Sequence, residues 1–176
     1  RSSDLKTNHG HLKNIRFRQM DMTVNPKTRY SFDVIVCVNA ILIPDYEKRQ
    51  VFFKNLNRFL KSKGNLVLVV PAFESYLFSE FIIDRSNRKE NIAPNEIKGK
   101  ISKAEHFAFK LGAAKLEQTP TKHYLEEELI TTLGDFGFTN INVEKVEYSW
   151  DKEVHDLPNK PQGLYPWDWL VTAVKK

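Results

Sequence analysis

Cysteine is almost absent from the sequence, which contains only Cys37 among 176 residues. A single cysteine cannot form a disulfide within the chain, and it supplies too few thiolates for a cysteine-rich zinc site. A reducing compartment is the simplest expectation, and we predict a cytoplasmic protein. Because Cys37 lies within an apolar run, we interpret it as a small core residue rather than a nucleophile.

Long apolar runs and glycine-rich loops are absent as well. The longest apolar run, Val34–Ile43, is about half as long as a bilayer crossing requires and contains Asn39, so we predict neither a transmembrane helix nor a membrane partner. With 7 glycines in all, the sequence has no glycine-rich phosphate loop and no Gly-x-Ser-x-Gly elbow. His9 and His11 have no apparent third partner, so no metal site is predicted.

Charge of one sign does not dominate. The chain has 27 Lys+Arg and 22 Asp+Glu, a net charge of +5. The basic residues are scattered and do not alternate with aromatic residues along a helix, which favours a solvated surface over a nucleic-acid groove. A nucleic-acid partner and the oligomeric state are both left open by the sequence.

What the sequence does contain is a strand–helix–strand pattern. Residues 32–38 are β-branched and apolar on both faces, as in a strand buried in the middle of a parallel sheet. Asp45 is placed to cap the start of a helix, and Gly64 to end it in a left-handed conformation. The apolar run Asn65–Val70 predicts a second buried strand, so the pattern is that of a βαβ unit.

Other elements are predicted on both sides of this unit. The alternating run Ile15–Met20 predicts a strand before it. Aromatic residues over 72–83 predict a helix after it, and a further helix is predicted from Tyr124 to Asp135. Two alternating runs, Ile141–Trp150 and Trp167–Val174, are expected to close the chain as an antiparallel strand pair.

The whole chain, residues 1–176, is expected to form one domain. Residues 85–121 are polar, rich in lysine and irregular in pattern. We therefore predict that about residues 85–121 form an insertion or lid on the domain rather than part of its sheet.

A series of stretches, taken in order, resembles the C-terminal portion of a class I S-adenosylmethionine-dependent methyltransferase. They are Ile15–Met22, Phe32–Ala40, Phe59–Gly64, Leu66–Pro71, Lys122–Leu129, Gly134–Phe138, Val143–Trp150 and Pro166–Val171. The resemblance implies an α/β Rossmann-like fold, with a mostly parallel sheet and an antiparallel C-terminal strand pair. The family's glycine-rich N-terminal motif and its ribose-binding acid have no counterpart in the sequence, so the N-terminal strands are expected to be missing.

The resemblance also implies a cofactor site. Asp21 matches the acid that binds the adenine amine, and Met22 matches the neighbouring backbone contact. Val38, Asn39 and Ala40 match the stretch that passes the methionine moiety. From the residues alone, a loop-capping role for Asp21 remains an alternative to ligand binding.

Two residues are candidates for the acceptor side of the site. His123 and Tyr124 lie where the predicted insertion returns to the domain. Packing at the start of the following helix is the alternative interpretation of both residues, and no catalytic base is assigned.

The implied function is methyl transfer from S-adenosylmethionine to an unidentified acceptor, with a small molecule favoured because no basic aromatic platform is visible. Since the glycine-rich motif is missing, the chain is expected to be a fragment that is inactive alone. The alternative function is a non-catalytic Rossmann-like binding module that kept the fold and lost the cofactor loop.

Overall fold

The computed structural model describes residues 14–27, 30–90, 103–116, 119–154 and 157–176. His9 and His11 lie outside the described residues. The elements are β1 (Phe32–Val38), α1 (Tyr46–Phe59), β2 (Leu60–Pro71), α2 (Phe73–Lys89), α3 (Lys103–Lys110), β3 (Ala113–Leu116), β4 (Thr119–Lys122), α4 (Glu126–Asp135), β5 (Phe138–Glu147), α5 (Trp150–Glu153) and β6 (Trp167–Lys175).

The main sheet has four described strands in the order β1-β2-β6-β5. β1 and β2 run parallel, whereas β6 is antiparallel to both β2 and β5. β3 and β4 form a separate antiparallel hairpin. The α/β fold class is therefore confirmed: a mixed sheet that starts parallel and ends in the antiparallel C-terminal strand pair.

The helix between the parallel strands forms as its sequence predicts. The Asp45 side chain accepts a hydrogen bond from the Lys48 backbone N–H at 3.0 Å and so caps the start of α1. The apolar stripe containing Phe52 and Leu56 is buried against Leu68 of β2. Burial of each such side chain contributes about 1.5–3 kcal/mol, which fixes the helix on one face of the sheet.

The end of this helix differs from its prediction. α1 ends at Phe59, and the residue in the left-handed region is Lys63 (φ 61°), not Gly64. Gly64 is instead required by close packing, because a Cβ there would lie 2.9 Å from the Lys61 carbonyl oxygen and 3.1 Å from that of Asp33. The glycine thus lets β1 and the start of β2 approach each other.

The prediction that residues 32–38 are buried on both faces is wrong. Val34, Val36 and Val38 are 52%, 65% and 57% exposed, while Cys37 on the opposite face is buried. Among the described strands β1 lies at the edge of the sheet, and the helices of the core cover only its Cys37 face. Burial raises the pKa of the Cys37 thiol to about 11, consistent with a core residue.

The predicted strand Ile15–Met20 is also wrong. These residues take part in no strand pairing, and Ile15 and Met20 are exposed. An extended segment needs a neighbour to satisfy its backbone groups, and no described strand lies beside this one.

The later helices and the final strands agree with the predictions apart from their bounds, whereas the region predicted as irregular contains regular elements. The helix predicted over 72–83 continues to Lys89, and the region predicted as irregular contains α3 and the β3–β4 hairpin. The last helix starts at Glu126 rather than Tyr124, and the final strands are β5 and β6. No helix within the described parts of the chain is long and apolar enough to cross a membrane.

Candidate functional site

The carboxyl ends of the parallel strands β1 and β2 meet at one edge of the sheet, hereafter the ligand edge. In open α/β sheets ligands bind beyond such ends. Asn39 follows β1 in a left-handed conformation (φ 45°), and its backbone N–H donates to the Val69 carbonyl oxygen at 2.9 Å. The turn that contains Asn39 is therefore fixed to β2 at this edge.

The loop that contains Asp21 is fastened to α1. The buried Asn55 side chain donates through Nδ2 to the Met22 and Val24 carbonyl oxygens at 3.0 and 2.9 Å. Asp21 is exposed, and its Oδ1 accepts from the Thr23 hydroxyl at 2.7 Å and the Thr23 backbone N–H at 2.8 Å. These bonds lower the pKa of Asp21 and keep it ionised.

This geometry is compatible with both interpretations of Asp21. The bonds to Thr23 give it the loop-capping role. They use only Oδ1, and a carboxylate has acceptor sites on two oxygens. The exposed carboxylate is thus able to accept a hydrogen bond from an adenine amine as well, so Asp21 fits the adenine end of the cofactor.

Residues 121–124 run beside the turns that follow both parallel strands. The Lys122 backbone N–H donates to the Leu42 carbonyl oxygen at 2.9 Å, and the Tyr124 N–H donates to that of Pro71 at 2.9 Å. The Phe73 N–H in turn donates to the Tyr124 carbonyl oxygen at 2.9 Å. The backbone of His123 and Tyr124 therefore lies at the ligand edge.

The side chains of these two residues point to different surroundings. Tyr124 is 1% exposed, and its hydroxyl donates to the Ile41 carbonyl oxygen at 2.8 Å, which favours the packing interpretation for this residue. The His123 ring lies 5.1 Å from the Tyr76 ring, and its Nδ1 is 3.1 Å from the Thr121 carbonyl oxygen. Burial lowers the pKa of His123 and keeps the imidazole neutral. Contact of either residue with an acceptor stays a prediction.

Lys122 is a buried residue that the sequence interpretation missed. Its Nζ donates to Glu128 Oε2 at 2.6 Å and to the Leu111 carbonyl oxygen at 2.8 Å, and it lies 4.7 Å from the centre of the Tyr124 ring. Burial lowers the pKa of Lys122, against the hydrogen bond and charge of Glu128, which raise it. Lys122 thereby joins the segment after α3 to α4. A lysine in a polar run carries no signal of burial.

Asp168 is a second residue that the sequence interpretation missed. It is paired with Pro71, the last residue of β2, so it stands at the ligand edge although β6 runs antiparallel. Its Oδ2 lies 3.5 Å from Asn39 Nδ2, a contact between residues 129 positions apart. Burial raises the pKa of Asp168, and the hydrogen bond from Asn39 opposes this.

Comparison with known proteins gives a family match for the first part of the chain. A family model described as a methyltransferase domain matches residues 2–68. This match covers β1, α1 and the first part of β2, together with Asp21, Met22 and the turn at Asn39. No curated protein matches the sequence.

Several solved structures with the same fold are described as methyltransferases. A putative S-adenosylmethionine-dependent methyltransferase from Listeria monocytogenes has a TM-score of 0.56 at 17% identity, covering 97% of this chain and 73% of that one. NodS, an N-methyltransferase from Bradyrhizobium japonicum in complex with S-adenosyl-L-homocysteine, has a TM-score of 0.54 at 12% identity, covering 98% and 60%. A methyltransferase from Methanosarcina mazei has a TM-score of 0.51 at 20% identity, covering 89% and 65%.

The resemblance predicted from the sequence is therefore confirmed. The chain has the class I methyltransferase fold over nearly its whole length, and its first part matches the methyltransferase domain model. It spans 65% of the Methanosarcina mazei protein and 60% of NodS.

Proposed function

We propose that this chain forms part of an S-adenosylmethionine-dependent methyltransferase that acts on a small molecule. The observation that carries the proposal is the match of residues 2–68 to a methyltransferase domain, on a fold that NodS shares and uses to hold S-adenosyl-L-homocysteine. The small-molecule acceptor is favoured by the scattered basic charge, which offers no extended groove for a nucleic acid.

In this proposal two groups of residues hold the cofactor. Asp21 accepts from the adenine amine with its exposed carboxylate, and the Met22 backbone contacts the adenine ring. The stretch of Val38, Asn39 and Ala40 lies beside the methionine moiety at the ligand edge. S-adenosylmethionine supplies a methyl group on a sulfonium, which is already a good leaving group.

The remaining task of the protein is to align an acceptor with that methyl group. His123 and the start of α2 form one side of the ligand edge, and α3 leads towards it through Gly112, whose carbonyl oxygen accepts from the His123 N–H at 2.8 Å. We assign this side to the acceptor and the segment of about residues 85–121 to its cover.

Binding and transfer are tested together on the natural protein that contains this chain. Calorimetric titration with S-adenosylmethionine and S-adenosyl-L-homocysteine is expected to show saturable binding, and label from methyl-labelled cofactor is expected to pass to a small-molecule extract. Absence of binding to both nucleosides would contradict the methyltransferase proposal. It would instead favour the alternative, a Rossmann-like binding module without catalysis.

The 176-residue chain by itself is expected to bind the cofactor weakly and to be inactive. Its residues supply contacts for the adenine and methionine parts, whereas the glycine-rich loop and ribose acid of the family have no counterpart among them. Two missing charge-assisted or backbone contacts, at about 1.5–3 kcal/mol each, weaken binding by at least about two orders of magnitude. Micromolar binding by the isolated chain would contradict this expectation.

A further inference from the structure

The carboxylate of Asp168 is a charged group that β6 brings to the ligand edge. Asp168 is paired with Pro71 at the carboxyl end of β2, and it contacts Asn39, which follows the carboxyl end of β1. Asn39 belongs to the stretch assigned above to the methionine part of the cofactor. Under that assignment, the Asp168 carboxylate lies beside the part of the site that would carry the methyl group.

Among the described residues, the groups that interact with Asp168 include Asn39 and Tyr148, which are neutral. Tyr148, which follows β5, donates its hydroxyl to Glu153 Oε2 of α5 at 3.0 Å. Burial raises the pKa of Tyr148, and the charges of Glu153 and Asp168 raise it further, so its hydroxyl stays neutral. The Asn39 amide is neutral too. Burial raises the pKa of Asp168, and the hydrogen bond from Asn39 opposes this; Asp168 and Glu153 are acidic groups at this part of the ligand edge.

We propose that Asp168 supplies the negative charge that faces the transferred methyl group, and that the methyl acceptor is an amine nitrogen. The inference rests on the proposed function, because it takes S-adenosylmethionine as the methyl donor. It adds the chemical class of the acceptor and a residue that contacts the reacting groups.

The charge balance of the reaction explains why a carboxylate suits an amine. The nitrogen lone pair forms the new carbon–nitrogen bond, while the carbon–sulfur bond breaks and leaves its electron pair on sulfur. Positive charge thereby passes from sulfur to nitrogen, next to Asp168, which stabilises it. The methylated ammonium then releases its proton to water. A carboxylate acceptor would be repelled by Asp168, and a hydroxyl would need a stronger base than a carboxylate.

The position of the charge is tested by two ligands that differ at the methyl site. S-adenosyl-L-homocysteine is neutral there, whereas sinefungin carries an ammonium group in place of the methylated sulfonium. In the natural protein, Asp168→Asn is expected to weaken sinefungin binding about five- to tenfold and to leave S-adenosyl-L-homocysteine binding within about twofold. Asp168→Glu, which keeps the charge, should retain most of the preference for sinefungin.

Glu144→Gln is the matched control, because Glu144 lies on the same sheet face as Asp168, two residue pairs further along β5. It should change neither affinity. Equal weakening of both ligands by Asp168→Asn would show a structural role only and overturn the inference, as would an unchanged sinefungin affinity. Failure of the unaltered protein to bind either ligand would instead overturn the proposed function.

The acceptor class is tested with S-adenosyl-L-homocysteine bound. Benzylamine is expected to bind more tightly than benzyl alcohol or benzoate, and Asp168→Asn should remove that preference. Equal binding of the three probes, or no binding of benzylamine, would overturn the assignment of an amine acceptor.

Discussion

The pair of Lys122 and Glu128 allows a quantitative test of how the acceptor side is held together. The Lys122 side chain is 2% exposed and that of Glu128 is 32% exposed. Removing the carboxylate leaves an ammonium group in a place that water does not reach. Removing the ammonium leaves a carboxylate, and the carbonyl of the half-exposed Leu111, where water does reach.

The two single substitutions should therefore differ in cost. Glu128→Gln is expected to lower the free energy of unfolding by about 1.5–3 kcal/mol, the value of a hydrogen bond to a charged group whose partner is left buried. Lys122→Met, which fills the same volume without a charge, should cost only about 0–1.5 kcal/mol. The double variant should be no less stable than Lys122→Met alone. The interaction energy between the two side chains, obtained from the double-mutant cycle, should therefore be about 1.5–3 kcal/mol.

Urea unfolding followed by circular dichroism measures all four proteins, and Glu127→Gln is the matched control. Glu127 is exposed and also lies in the first turn of α4, so its loss reports the helix dipole alone, about 0.3–1 kcal/mol. The reasoning would be refuted if Glu128→Gln had the same free energy of unfolding as Glu127→Gln. It would also be refuted if the losses of the two single substitutions, Glu128→Gln and Lys122→Met, simply added in the double variant. Either result would mean that the buried ammonium gains nothing from the carboxylate.

Three further predictions concern the site residues. Asp21→Ala in the natural protein should weaken S-adenosylmethionine binding by about 1–3 kcal/mol in calorimetry, and an unchanged affinity would remove Asp21 from the site. Burial lowers the folded pKa of His123 below its unfolded value of 6.5, so the free energy of unfolding should fall as the pH drops through 6.5. Urea unfolding at about pH 7.5 and 5.5 should show a smaller fall for His123→Gln than for the unaltered protein. An equally large fall in the variant would contradict this prediction. Replacing about residues 85–121 by the corresponding segment of a relative should change acceptor preference but not cofactor affinity. Because α3 buries none of its side chains, its amide hydrogens should exchange faster than those of Leu66–Val70. Equally slow hydrogen exchange would contradict the assignment of this segment as a cover.

Local chemistry explains which parts of the fold could be predicted from the sequence. The Asp45 cap and the stripe of Phe52 and Leu56 depend on residues within one helix, so their spacing is sufficient. The role of Gly64 depends on the approach of β1, which local spacing does not report. The exposure of Val36 likewise depends on what lies beside β1, because an apolar sequence pattern does not distinguish a strand at the edge of a sheet from one in its centre.

The candidate site follows the same division. The position of Asn39 at the end of a strand could be predicted, because the strand is visible in the sequence. For His123 and Tyr124 the sequence predicts only that they lie where the insertion returns to the domain, and the hydrogen bonds of their backbone segment locate them at the ligand edge. The contact of Asp168 with Asn39 joins residues 129 positions apart and follows from strand order alone. The burial of Lys122 could not be predicted from the sequence, since its partners are a backbone carbonyl and a carboxylate in the first turn of α4.

Two sets of contacts hold the two sides of the candidate site. The Asp21 loop is bound to α1 through Asn55, whereas the acceptor side depends on β6. Trp169 Nε1 donates to the Tyr124 carbonyl oxygen at 3.1 Å, and the Trp167 backbone N–H donates to Ser75 Oγ of α2 at 2.7 Å. One strand therefore positions the acceptor-side backbone, the start of α2 and the Asp168 carboxylate together. Changes in β6 should therefore disturb the acceptor side. They should also affect the adenine side, because Lys175 of β6 donates to the Asn57 carbonyl oxygen of α1 at 2.7 Å, and α1 holds the Asp21 loop.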